Sequence, residues 1–124
     1  MQTSYLIERL RSFAHAFRGL AILLRTQHNA KIHTVATILV VAAGTLFRIS
    51  PTEWVLIALA LVCVWVAEAL NTSIEFLVDL VAPDLHPLAG KAKDVAAGAV
   101  LIAAIGSLIV GALVFVPHIF KLLG

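Results

Sequence analysis

Charge is what this sequence has least of. Of its 124 residues only 13% are Asp, Glu, Lys or Arg, while 61% are hydrophobic and the mean hydropathy is +1.03. Soluble domains carry about 25% charged and roughly 45–50% apolar residues, so the composition excludes an ordinary water-soluble fold. Cysteine occurs once, at Cys63, which rules out a disulfide within the chain. Amid Leu61, Val62 and Val64 it reads as a small packing residue. A Walker A loop is also missing. Gly90 in GKAKD has no glycine loop before it, and no protein-kinase catalytic loop occurs. There is no nucleic-acid-binding motif, so the basic residues argue for a membrane surface and not for DNA or RNA. The first residues do not read as a cleaved leader, because charge interrupts their apolar stretches and no small-residue cleavage pattern follows.

What is present is a single domain, 1–124, of long apolar runs separated by short polar patches. Arg9, Arg11, Arg18 and Arg25 alternate with Phe13, Phe17, Leu20, Ile22 and Leu23 at near-helical spacing. This predicts an amphipathic helix over 6–25, lying in the membrane interface. After the polar patch RTQHNAKIH, Thr34 to Phe47 is uncharged, extended by Ile32 and Ile49. That run is short for a crossing of about 20 residues. The span 31–49 therefore borrows from the patch, leaving Gln27, Lys31 and His33 at the membrane boundary or against protein. SPTE, Ser50 to Glu53, carries a capping-box pattern with proline at the first helical position. A second span, 52–81, follows and ends before Pro83. At about 1.5 Å per residue it outruns the hydrocarbon core, so its last turns emerge. The polar connection Ala82 to Asp94 leads to a third span, 93–116, uncharged from Val95 to Pro117. Its small residues Ala99, Ala103, Ser107 and Gly111 predict a face that meets another helix. The fold class is thus all-α: three transmembrane helices plus a surface helix. The basic arm and the Lys91/Lys93 loop fall on one side, expected to be cytoplasmic, as is the N-terminus.

One stretch breaks the apolar pattern. EALNTSIEFLVD, Glu68 to Asp79, places three carboxylates and an asparagine on the helix that begins at Pro51. With Glu68 at zero, Asn71 falls at about −60°, Thr72 at +40°, Glu75 at −20° and Asp79 at +20°. All share one face, and Glu68 and Glu75 stand roughly 10 Å apart along the axis. That is too far to share one metal ion directly, but suits two tasks at adjacent depths. A carboxylate at bilayer depth is costly unless paired, metal-bound or protonated. Lys93 and Asp94 stand at the expected mouth of the third span, one suited to phosphate oxygens and the other to a metal or hydroxyl. Carboxylates with a lysine on the cytoplasmic side suggest metal-assisted phosphoryl transfer. From the residues alone, an ion- or proton-conducting bundle fits nearly as well.

Together, EALNTSIEFLVD, HPLAGKAKDVAAGAVLI and NAKIH resemble the prokaryotic diacylglycerol kinase family, which includes the undecaprenol kinases. The resemblance runs from FRGL at Phe17 to about Gly111. It implies a three-span lipid kinase of the cell (inner) membrane, with a surface helix, assembled as a homotrimer with its site facing the cytoplasm. It implies ATP as phosphoryl donor, Mg²⁺ as metal and a lipid alcohol as acceptor. The wording of HNAKIH and DVAAGAVL favours undecaprenol over diacylglycerol. By the same resemblance Glu68 is the general base, Asn71 orients the site and Glu75 holds Mg²⁺. Asp79, His86, Lys93 and Asp94 line the nucleotide site. Gln27 stands where the family has a metal-binding glutamate, and removes one negative charge from the metal site.

Overall fold

The computed structural model describes residues 2–84 and 86–124. Met1 and Leu85 lie outside the described residues, as does the side chain of Leu6, where the surface helix is expected to begin. Four helices follow one another: α1 (Gln2–Thr26), α2 (His28–Phe47), α3 (Pro51–Val81) and α4 (Pro87–Leu123). Among the described residues there is no strand. Helices α2, α3 and α4 are each long and apolar enough to cross a membrane.

Contacts between distant residues give the directions of these helices. Trp65 Nε1–H donates to Thr37 Oγ1 at 3.1 Å, so α3 runs antiparallel to α2 from the tight turn at Arg48–Ser50. Lys93 pairs with Asp79 at one end of α3–α4, and His118 meets Glu53 Oε1 at 3.1 Å at the other. That pair too is antiparallel. The α2–α3 turn needs Arg48 in the left-handed region (φ 51°), where its N–H reaches the carbonyls of Gly44 and Thr45. The predicted capping box is formed: Glu53 N–H donates to Ser50 Oγ (3.2 Å) and Ser50 N–H to Glu53 Oε2 (2.7 Å).

The tightest packing lies at this end. Ile49, Ile57 and Val114 are buried beneath Phe47, Trp54, Leu61 and Phe115. From there a seam continues along α3 through Leu61 and Val64 to Glu68, Asn71 and Glu75. On α4 the covered positions are Ala96, Val100, Ala103, Ser107, Val110 and Val114. Steps alternating between three and four residues are those of helices crossing at a shallow angle. The polar face of α3 is therefore the packing seam itself, carried on with different residues.

Several sequence expectations are corrected here. α4 starts at Pro87, capped by His86, and not at 93; the proline read as a loop residue occupies the first helical position. Lys93 and Asp94 thus sit about two turns inside the helix and not at its mouth. The helix also continues through Pro117 to Leu123. Of the small-residue stripe, Ala103, Ser107 and Gly111 are partly covered while Ala99 is exposed. Cys63 is exposed and does not fill the interior.

In α1, Leu10, Phe13, Phe17, Leu20 and Leu24 fall within an arc of about 80°, and Arg11, His15, Arg18 and Arg25 within the opposite one of about 80°. The apolar arc is exposed: Phe17 is 69% accessible and Leu10 61%. Leu23, at the helix end, is buried. Membrane hydroxyls need partners, and here their own helices supply them. Thr34, Thr37 and Thr45 donate to the carbonyls of Ala30, His33 and Val41 at 2.8, 2.7 and 2.9 Å.

Candidate active site

Burial along the polar face of α3 falls steadily toward the helix end. Glu68 is 1% exposed, Asn71 5% and Thr72 4%. Glu75 is half-buried, and the side chain of Asp79 is 64% exposed. Glu68 is the only side chain of its size so fully enclosed among the described residues. The apolar seam before it dictates this, because Glu68 occupies the next covered position after Val64.

A cleft of about 280 Å³ opens between α2, α3 and α4, lined by Asn29, His33, Asn71 and Glu75 with Ala97 and Val100. Asn71 Nδ2–H donates to Glu75 Oε1 at 3.1 Å, which holds the carboxylate toward the cleft. Asn71 Oδ1 is buried without a partner. Glu68 does not line the cleft, but its Oε2 lies 3.8 Å from His33 Nε2 and otherwise lacks a partner. Thr72 Oγ1 is likewise buried and unpartnered. It lines a separate, largely apolar groove between α1 and α3 with Leu20, Leu23 and Phe76.

Toward the helix ends the groups become accessible. Lys93 reaches across from α4 to Asp79, while Asp94 points to solvent. His86 Nδ1 accepts the Leu88 N–H at 3.2 Å, so its ring caps α4. Gln27 is the N-cap residue of α2, and its Nε2 lies 3.4 Å from Thr26 Oγ1. It is not among the residues lining the cleft. Within one chain, the fold brings Asn71 and Glu75 together, sets Glu68 behind His33, and pairs Asp79 with Lys93. It leaves Gln27, His86 and Asp94 apart from that group.

His33 and Asn29 were not among the residues singled out for chemistry. Both belong to the polar patch before the first crossing, which length alone obliged the span to borrow. The borrowed turn faces the carboxylates.

Such an arrangement can take a proton at a sealed carboxylate and hold a hard cation with oxygen donors. Among the described residues there is no group of three or more His, Cys, Asp or Glu able to hold a metal. Mg²⁺ needs no such group, since one or two carboxylates with substrate phosphates and water suffice. The orphaned Asn71 Oδ1 beside Glu75 is an oxygen donor of the required kind.

Comparison with known proteins gives consistent matches. A sequence model of the family described as prokaryotic diacylglycerol kinase matches residues 14–115. An undecaprenol kinase of Bacillus subtilis is 43% identical over 109 residues, covering 88% of this chain and 89% of the relative. A diacylglycerol kinase of Synechocystis is 40% identical over 113 residues, covering 90% of this chain and 65% of the relative. A diacylglycerol kinase of Escherichia coli K12 is 28% identical over 109 residues.

Proposed function

Because the chain belongs to the prokaryotic diacylglycerol kinase family and is therefore a membrane lipid kinase, we propose that it transfers the terminal phosphoryl group of ATP to the hydroxyl of undecaprenol. Glu68 is assigned to the lipid hydroxyl, whose proton it accepts. Asn71 orients the neighbouring Glu75. Glu75 and Asn71 Oδ1 would hold Mg²⁺, and Gln27, which the fold of one chain leaves apart from them, would join by reaching in from the start of α2. That ion, when bound, neutralises charge on the transferring phosphates. Lys93, steadied by Asp79, offers its ammonium to phosphate oxygens, with His86 and Asp94 nearer the nucleotide's exposed part.

The single observation that carries this reading is the burial gradient on one helix face. A base for a lipid alcohol belongs where water is excluded, and Glu68 is 1% exposed. Groups for a water-soluble nucleotide belong where water reaches, and Asp79 and Lys93 are there. Positioning and charge neutralisation then supply most of the rate, since phosphoryl transfer asks little covalent chemistry of the protein.

The accessible end also carries the basic residues of α1, with Lys31, Lys91 and Lys93. By the positive-inside rule this end is assigned to the cytoplasmic side, and the cell (inner) membrane is the one that the family resemblance implies. The isolated chain exposes 9378 Å². A compact soluble monomer of 13.2 kDa exposes about 6,400 Å². Lipid covers part of this excess, and further copies of the chain in a homotrimer cover the rest.

Undecaprenol is preferred because the Bacillus subtilis relative, which bears that name, is matched over nearly its whole length. Diacylglycerol is the second reading, favoured by the Synechocystis relative at 40% identity. Transfer of labelled phosphate from ATP to each lipid, assayed side by side with Mg²⁺, distinguishes them. Labelled undecaprenyl phosphate in excess supports the proposal; labelled phosphatidic acid alone transfers it to diacylglycerol.

A further inference from the structure

A base that is 1% exposed raises a difficulty that the transfer step leaves open. Each turnover deposits a proton on Glu68, which does not line the cleft between α2, α3 and α4. The proton must leave before the next lipid can react. Among the described residues the one basic side chain within 4 Å of the Glu68 carboxylate is His33, whose Nε2 lies 3.8 Å from Glu68 Oε2.

His33 is built as a bridge. Its ring lines the water-accessible cleft that Glu68 does not reach. The Trp65 ring stands edge-on to it, with centroids 6.3 Å apart. Trp65 is itself pinned by its hydrogen bond to Thr37 Oγ1, and Thr37 in turn donates to the carbonyl of His33. These contacts fix a ring whose side chain is only 18% exposed. The gap to Glu68 exceeds a hydrogen bond by roughly 1 Å, a distance closed by a small approach of the ring. Of the groups facing the ring, α3 contributes Glu68 and, across the cleft, Glu75, with Asn71 uncharged. α4 contributes Ala97, Val100, Leu101 and Ala104 on the cleft side and Ser107 beyond them, none of them charged.

We propose that His33 carries the lipid hydroxyl's proton from Glu68 to the cleft. The idea rests on Glu68 as the base. As the lipid oxygen bonds to the γ-phosphorus and the bond to ADP breaks, the hydroxyl proton passes to the Glu68 carboxylate. Glu68 then gives it to Nε2 of the neutral imidazole, whose own proton sits on Nδ1. The imidazolium releases a proton to water in the cleft and returns neutral. One proton enters and one leaves per phosphoryl group transferred.

The test is His33→Gln in the full chain, which keeps a polar side chain of similar reach but cannot shuttle a proton. We expect kcat to fall by at least about tenfold while KM for the lipid is unchanged. The deficit should shrink as pH rises, because hydroxide and buffer bases replace the ring. A wild-type kcat overturns the relay. So does a loss confined to KM, or a deficit constant across pH, either of which marks a merely positional ring. Glu68→Gln run in parallel separates the two ideas. If that variant is inactive and His33→Gln is not, the relay alone fails; if Glu68→Gln stays active, the base assignment fails first.

Discussion

Glu68→Gln isolates chemistry from structure in a way few substitutions here can. Glutamine matches glutamate in volume, so the seam between Val64 and Asn71 stays filled. What is lost is the ability to accept a proton. A positioned general base contributes about 10²–10⁴ in rate. Glu68 is 1% exposed, so no water stands ready to replace it, and we expect a loss of about 10³, or roughly 4 kcal/mol of barrier. Stability should move the other way. Glu68 Oε2 is buried without a hydrogen bond, and the nearest cationic candidate, His33, is 3.8 Å away. A neutral amide removes an incompletely compensated charge from a low-dielectric seam, so the thermal midpoint in detergent should hold or rise. ATP saturation should be unchanged, since Asp79 lies about 16 Å along α3 from the substitution and Lys93 is paired with it. The assay is labelled phosphate transfer in mixed micelles, with thermal unfolding on the same sample. Near-normal turnover would refute the base assignment, and a rate loss that tracks a lowered midpoint would refute the separation of chemistry from packing.

Glu75→Gln should raise the Mg²⁺ concentration for half-maximal activity on the order of tenfold or more, and an unaltered metal titration would remove Glu75 from the metal shell. Gln27→Glu restores the charge that the family carries at this position and should lower that concentration. If the titration does not shift, Gln27 is a helix cap and no more. Gly44→Ala probes the fold. A Cβ there would lie 2.7 and 2.9 Å from the Trp54 ring and 3.1 Å from Ile49 Cδ1, so about 1–3 kcal/mol of stability should be lost, read as a lower thermal midpoint. An unchanged midpoint would mean that Trp54 moves aside freely.

Helix existence was legible because each crossing is written in one continuous stretch. Ser50, Pro51 and Glu53 mark the start of α3 to the residue, since a capping box needs only neighbours in sequence. The start of α4 was misread for the same kind of reason. Pro87 and Gly90 have loop character on a residue count, but a proline at the first helical turn costs nothing. Pro117 shows the converse, a proline carried inside a membrane helix. Cys63 was misplaced because hydrophobic neighbours signal the interior only in water; in a membrane helix they face lipid equally well.

The carboxylate face was legible for a deeper reason. Helical spacing puts Glu68, Asn71 and Glu75 on one line, and the same line through Ile57, Leu61 and Val64 is the packing seam. A seam position is enclosed whatever residue fills it, so a carboxylate there is buried by its neighbours' packing and not by its own choice. What periodicity does not state is which side chain from another helix meets it. His33 is 35 positions away from Glu68 in sequence, in a patch that composition assigns to the membrane boundary. Its position follows only once α2 and α3 are antiparallel, with Gly44 against Trp54 setting the register. From that contact the two helices run on in opposite directions, bringing Thr37 to Trp65 and, four residues further back on α2 and three further forward on α3, His33 to Glu68. The register of the far end thus fixes the partner of the base, so a defect introduced at Gly44 should impair transfer as well as stability.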